Sequence, residues 1–275
     1  MEKRKKKILT GLMVIITLLI VFPFIWMLML SFKTSGEIMS NPLALPASLN
    51  LNNYVNAVKT LDFVKLYVNT FLVCVLSLCI ELVITFLSSF VLARMEFRNS
   101  RVKKLVYSYL ILGLSVSPFI LLFPAYKINV FFGLRGKWAL ILPYVATSIS
   151  FNTLLLVGYL KALPKEIDEA AIIDGCSVWD LMIRVTLPMA KPVIATIVIF
   201  NVLYIWNEFP FASVMLRDAA DYTLSMGTSF FKGTYTVDYG GIVATSVMII
   251  IPELIFYGLF QKNIIEGITA GAVKG

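Results

Sequence analysis

"YVNTFLVCVLSLCIELVITFLSSFVLA", Tyr67 to Ala93, holds 27 residues and a single charged side chain, Glu81. A helix rises 1.5 Å per residue, so roughly 20 apolar residues cross the ~30 Å hydrocarbon core of a bilayer. The stretch is long enough to span. Five others in the chain read the same way: Ile8 to Phe32, Leu105 to Ala125, Trp138 to Leu160, Pro192 to Leu216 and Tyr239 to Phe260. Of the 275 residues, 59% are hydrophobic and 15% charged, against roughly 45–50% and 25% in soluble domains. A transmembrane β-barrel would show alternating segments of about ten residues, and none is evident. The fold class is all-α and polytopic, with six transmembrane helices.

The opening MEKRKKK ahead of an apolar run resembles a secretory signal, but the run exceeds an h-region and no small-x-small site follows it. An uncleaved first span is expected. Cys74 and Cys79 share one apolar helix and Cys176 lies in a polar segment, which suits neither a disulfide framework nor a metal site. Histidine is absent, so His-based metal sites, His general bases and Ser-His-Asp triads are excluded. "GLRGKW" at Gly133 to Trp138 lacks the spacing and the hydroxyl residue of a phosphate-binding loop. If a nucleotide drives this protein, another chain binds it. No catalytic residue, metal or cofactor is expected here.

Orientation follows from retention of positively charged segments in the cytoplasm. With the N-terminus inside, Lys plus Arg number 5 in residues 1–7, 5 in 94–104, 4 in 161–191 and 2 in 261–275, against 3 in 33–66, 3 in 126–137 and 2 in 217–238. Both termini are therefore expected in the cytoplasm. Topology and anionic headgroups account for the net charge of +8, leaving little to support a nucleic-acid reading. The outer segment 33–66, with Pro42, Pro46 and several Asn, suggests turns and a short amphipathic piece from Leu51 to Lys59. The chain divides into an N-terminal span with its outer loop, 1–66, and a core of spans two to six, 67–275. No similarity between the first and last three spans supports an inverted repeat.

Charges within spans cost at least about 2.5–3.5 kcal/mol on insertion scales, so each needs an account. Glu81 is open to a structural hydrogen-bonding role or a pathway role. Trp206, Asn207 and Glu208, in "YIWNEFPF", form an aromatic and amide cluster suited to a hydroxyl-rich solute. A helix-packing network near a proline bend is the other reading. Glu253 follows Pro252, where a local kink is expected. Pro118, Pro124 and Pro143 also interrupt spans, as prolines do where a bundle lines a polar path or packs irregularly.

Residues 161–191 are too polar to span and too patterned for a loop. Pro164 suits a first-turn position, with Glu166, Asp168 and Glu169 at the positive end of the helix dipole, and Gly175 suits a left-handed stop. Ile167, Ala170, Ala171 and Asp174 share one face. Ser177 to Asp180 has the form of a capping box opening a second helix, whose apolar face is Val178, Leu181, Met182 and Val185. The result is a helix, a glycine turn and another helix, on the cytoplasmic side by the charge rule. Its small alanines lie on an exposed shoulder. It would fit a groove on a soluble motor, or lie on the inner leaflet as an amphipathic pair.

The stretch "LPKEIDEAAIIDGCSVWDLMIRVTLPMAKP" resembles the EAA motif of bacterial ABC importer permeases. Glu169, Ala170, Ala171, Gly175, Val185, Leu187 and Pro188 fill its positions, with Asp174 before the glycine. Val185 stands where Ile is usual, and Met182 where a Phe is frequent. "NTFLVCV" at Asn69, "FVLARMEFRNSR" at Phe90, "YIWNEFPFA" at Tyr204 and the ending "GITAGAVKG" are similar to the carbohydrate-uptake branch, the six-span maltose-permease type. The resemblance implies a permease of the bacterial inner membrane that itself does no chemistry. Its implied partners are a homologous second permease, two ATPase subunits that bind ATP and Mg, an extracytoplasmic solute-binding protein and a sugar. Glu169, Ala170, Ala171, Asp174, Gly175, Val178, Met182, Leu187 and Pro188 would then couple to the ATPase. The tail 261–275 would reach between the ATPases, and the loop 217–238 would meet the binding protein. A secondary transporter or channel without an ATPase is the alternative.

Overall fold

The computed structural model describes residues 2–233 and 235–272, with side chains described for 5–233 and 235–261. Among the described residues the regular structure is helical, apart from one antiparallel bridge between Lys232 and Val237. The helices are α1 (Glu2–Leu30), α2 (Ser35–Ser40), α3 (Asn52–Thr60), α4 (Phe63–Arg94), α5 (Ser100–Leu112), α6 (Pro118–Phe131) and α7 (Ile141–Ala162). They continue as α8 (Glu166–Ile173), α9 (Val178–Asp180), α10 (Leu187–Met189), α11 (Lys191–Asn207), α12 (Pro210–Met215) and α13 (Tyr239–Ala272).

Among the described residues, four helical stretches are long and apolar enough to cross a membrane unbroken: Lys5–Leu30, Phe63–Arg94, Gly136–Ala162 and Tyr239–Gln261. The other two expected spans are broken. Ser100–Ser115 and Pro118–Phe131 meet at 105°, while the expected span from Pro192 to Leu216 is interrupted at Glu208 and Phe209, between α11 and α12. A separate bend of 70° lies ahead of it, between Val178–Met189 of the polar insert and Lys191–Asn207. The first break has a clear cause. Ser117 is extended at ψ 133, the conformation that a following proline imposes, and Pro118 then opens the next helix at its first turn. The single straight helix expected from Leu105 to Ala125 is thereby corrected to two. Pro124 and Pro143 lie inside α6 and in the first turn of α7 without ending them. α13 likewise runs through Pro252, so the expected kink there does not interrupt the helix.

The chain forms two compact units, residues 1–63 with 226–253 and residues 64–225 with 254–275. In the first, the outer segment is fastened by polar contacts. Asn53 of α3, the amphipathic piece expected from sequence, donates to the carbonyls of Ser31 and Lys33 at 2.8 Å each. Thr34 and Glu37 form a reciprocal capping box at α2, and its hydrogen bonds hold the Glu37 carboxyl below the usual carboxylate range. A Cβ on Gly240 would come within 2.7 Å of the Asn53 side chain. That glycine permits the close approach of α13 to α3.

The second unit is built around α7, which packs against α5, α6 and α11. Its apolar core joins Phe86 and Phe90 of α4, Leu156 and Leu160 of α7, Val193 and Ile197 of α11, and Ala171, Leu181 and Met182 from the segment between α7 and α11. The polar insert of the sequence is thus anchored from within by its own apolar residues. Because each of these side chains is at most 7% exposed, truncating any of the larger ones is a cavity-forming change.

Candidate functional site

α8 begins one residue after Lys165, whose carbonyl accepts from Glu169 N at 3.1 Å. Pro164 therefore precedes the helix instead of occupying its first turn, a correction to the expected start. Glu166, Asp168 and Glu169 do stand in the first turn, where the helix dipole favours carboxylates. At the other end Gly175 adopts φ +82. Cys176 N donates to the Ala171 carbonyl at 3.0 Å and Gly175 N to that of Ile172 at 3.0 Å. These two bonds define a Schellman stop, which satisfies the last carbonyls of the helix. Ser177 then caps α9, its Oγ accepting from Asp180 N at 3.1 Å and donating to the Asp180 carboxylate. That hydroxyl holds the Asp180 carboxyl below its ordinary range. The box is closed through the two side chains.

A π-helical turn, Leu181–Thr186, comes next and changes the register of the second helix. One expectation is corrected here. Met182, assigned to partner contact from its motif position, is 5% exposed and lies in the core with Leu181. Ala171 is also buried, while Ala170, Glu169 and Asp174 are exposed. The residues that protrude are Ile172 (62% exposed), Ile173 (85%), Val178 (57%) and Trp179 (65%), two on each side of Gly175. Of these only Val178 is singled out by the motif. The signal available for the others is Trp179 itself, a bulky aromatic in a polar segment. Leu187 is half-buried and Pro188 exposed at the end of the insert.

A residue outside the motif holds this tip in place. Arg94, the last residue of α4, has a side chain only 4% exposed, and its Nε lies 3.3 Å from the Asp168 carboxylate. Its Nη1 donates to the Leu163 carbonyl at 3.0 Å and its Nη2 to that of Pro164 at 3.3 Å. One planar guanidinium therefore joins the end of α4, the end of α7 and the first turn of α8. The fixed fork geometry of arginine allows this, and a lysine point charge does not reproduce it.

At Gly175 a Cβ would meet nothing within 4 Å, so only the backbone conformation resists substitution. Gly175→Val is expected to cost about 1–2 kcal/mol at that turn and to re-aim Ile173 and Val178. Thermal unfolding of the purified variant against wild type checks this. A stability equal to wild type would show that the turn tolerates another conformation.

The residues expected to line a solute path are dispersed by the structure. Glu208 is 4% exposed and sits at the break between α11 and α12. Its Oε1 accepts from Phe211 N at 2.7 Å, and its Oε2 from Ala212 N at 3.1 Å and Tyr144 OH at 2.7 Å. Its own carbonyl accepts from Ser225 Oγ at 2.7 Å. Both carboxylate oxygens are engaged in holding the start of α12, as the helix-packing reading of this stretch has it. The Trp206 ring lies 5.8 Å from that of Tyr67, and Asn207, exposed, donates to the Leu203 carbonyl at 2.9 Å. Glu81 is fully buried and faces Ser148 and Asn152 of α7, and Asn152 in turn accepts from Asn201 of α11 at 3.0 Å. Polar groups of three helices thus surround the Glu81 carboxyl, although neither of its oxygens makes a hydrogen bond.

On the opposite end of this unit, Asn69 of α4 donates to the carbonyls of Ala220 and Tyr222 at 3.0 Å each and accepts from Lys137 Nζ at 2.8 Å. The neighbouring concavity, about 440 Å³, is lined by Tyr126, Arg135, Arg217, Asp218 and Asp221. Asn69→Ala is expected to release the 217–223 segment, because each carbonyl left without its buried donor costs about 1–3 kcal/mol. Faster amide hydrogen exchange there than in wild type is the expected readout, and unchanged exchange would contradict it.

Residues 84–268 match the family described as "binding-protein-dependent transport system inner membrane component". The chain belongs to that family. It is a multi-pass permease component of the bacterial inner membrane, from a family whose members are transport subunits. Among its relatives, the "diacetylchitobiose uptake system permease protein NgcG" of Streptomyces coelicolor is 32% identical over 99% of this chain and 90% of its own length. The "trehalose/maltose transport system permease protein MalG" of Thermococcus litoralis is 32% identical over 95% of this chain and 94% of its own length. The fold is similar to a chain of a bacterial ABC transporter involved in import of the acidic polysaccharide alginate, with a TM-score of 0.76 and 21% identity, covering 95% of this permease and 97% of that chain. The alginate transporter in complex with its pentasaccharide-bound periplasmic protein gives a TM-score of 0.64 at 16% identity, over 98% and 94% of the two chains.

Proposed function

We propose that this permease is one of two homologous membrane subunits of an ATP-driven importer, passing a sugar or oligosaccharide delivered by an extracytoplasmic solute-binding protein. Two ATPase subunits bind ATP and Mg, and this chain holds neither. Both termini and the α8–α10 insert lie in the cytoplasm, a reading supported by the distribution of Lys and Arg over the connecting segments. The observation that carries the function is the apolar tip at Ile172, Ile173, Val178 and Trp179. Exposed apolar side chains on a rigid, polar-flanked turn mark a binding surface, and the one an ATP-driven permease requires inside the cell is for the ATPase. Closure of the ATPases on ATP then moves the tip, and Arg94 transmits that movement to α4 as well as to the helices continuous with the insert. The outer concavity near Arg217 and Asp221 is assigned to the binding protein, in keeping with the expectation for 217–238. The tail 261–275, helical as far as Ala272 and with side chains described only to Gln261, is assigned to the ATPase interface.

Purification from native membranes in mild detergent tests the assembly. An ATPase and a second permease should accompany this chain. Persistent isolation alone would favour a secondary transporter or channel.

A further inference from the structure

Among the described residues of the unit 64–225, two glutamates are buried, Glu81 and Glu208. Both carboxyl oxygens of Glu208 are hydrogen-bonded, while neither oxygen of Glu81 is. The deficit extends to its surroundings. Ser77 Oγ, one turn earlier on α4, and Ser148 Oγ and Asn152 Nδ2 on α7 are also buried without a hydrogen-bond partner. Ser148 and Asn152 face the Glu81 carboxyl. Asn152 is held from its other side, its Oδ1 accepting from Asn201 of α11 at 3.0 Å, which leaves its Nδ2 for Glu81.

No cation offsets this carboxyl. Tyr67 to Ala93 on α4, Ile141 to Leu160 on α7 and Pro192 to Asn207 on α11 contain neither Lys nor Arg. The ion pairs among the described residues join Arg94 to Asp168 and Arg184 to Asp180. The titratable side chain that feels Glu81 is Cys74, two turns earlier on α4, and it brings no positive charge. A carboxylate in the middle of a span with neither countercharge nor hydrogen bond is the arrangement that burial penalises most. A carboxylic acid removes both deficits, because it has one O–H to donate and an oxygen left to accept. Those needs match a hydroxyl and an amide N–H, the two groups that face it from α7.

We propose that Glu81 is held as the neutral acid, donating to Ser148 Oγ and accepting from Asn152 Nδ2, and so pins α4 to α7 and, through Asn201, to α11. Arg94 fastens the same α4 to the end of α7 thirteen residues further on, about 20 Å along the helix. Two separated points of attachment keep α4 and α7 in register. The pin depends neither on which solute is carried nor on the identity of the ATPase.

Infrared spectroscopy of the full chain, with whatever partners accompany it, in lipid nanodiscs at neutral pH tests the proposal. The difference between wild type and E81Q should contain the C=O stretch of a protonated carboxyl, and S148A should shift that band by removing its acceptor. The S148A difference supplies the band should E81Q fail to fold. The amide of E81Q can replace the acid in both hydrogen bonds, so E81Q should unfold at the wild-type temperature while E81A unfolds lower. The paired stretches of an ionised carboxylate in the difference spectrum, a band unmoved by S148A, or an E81Q as destabilised as E81A would each overturn the assignment.

Discussion

Arg94→Ala is expected to lower the stability of the permease by about 3 kcal/mol, because it removes one partner of a largely buried ion pair and leaves Asp168 uncompensated. Uptake should fall further than stability alone explains, since the first turn of α8 loses its link to α4. The carbonyls of Leu163 and Pro164 also lose their donors. Arg94→Lys keeps the charge without the fork and should cost about half as much. A double-mutant cycle with Asp168→Ala isolates the pair, and a coupling energy of about 1.5–3 kcal/mol is expected from thermal unfolding in detergent. Strictly additive losses would mean that Arg94 and Asp168 act independently, and the clamp would have to be abandoned.

The second large effect belongs to Glu208. Glu208→Ala leaves the buried N–H groups of Phe211 and Ala212 and the hydroxyl of Tyr144 without an acceptor. Hydrogen bonds to a charged group contribute about 1.5–3 kcal/mol each, so a loss of about 3–5 kcal/mol is expected, with fraying of α12. Glu208→Gln is the sharper variant. It keeps the size and one acceptor oxygen but presents an amino group to the other N–H, so it should lose at least about 2 kcal/mol. If this residue instead hydrogen-bonded a hydroxyl-rich solute, glutamine would preserve stability and alter only solute affinity. Thermal unfolding without solute separates the two.

The spans are legible in the sequence because burying backbone polar groups in hydrocarbon permits few structures, and 20 or more apolar residues are a strong signal. The breaks are less so. Ser117 and Pro118 mark where a helix must turn, but not that the two halves meet at 105°. The glycine turn is legible in full, since a left-handed stop after an acidic-led helix leaves few alternatives to Gly175. The faces around it are not. A π-helical turn at Leu181–Thr186 shifts the helical register by a fraction of a turn, and counting at 3.6 residues cannot anticipate it. Met182 points inward on the apolar face that it shares with Leu181, as the spacing gives; only its motif position suggests a partner contact. Arg94 gives no signal of its own because its partners are 69 and more residues away, and in sequence it is one basic residue in a basic loop. Glu208 is open to two readings for a different reason: aromatic and amide neighbours suit a solute cluster as well as a packing network, and its partners, backbone N–H groups three and four residues on, leave no side-chain signal.

Engagement of an ATPase by the tip beside Gly175 is tested most directly with a single cysteine at Ile173, 85% exposed, after Cys74, Cys79 and Cys176 have been replaced by serine or alanine. Membranes from cells expressing that variant are treated with a thiol-to-amine crosslinker, with and without ATP. An adduct between this chain and a nucleotide-binding subunit is expected, its yield changing with ATP, and none from a cysteine at the outer position Arg217. An Ile173→Cys chain that transports solute yet crosslinks only to lipid or to nothing would contradict the assignment.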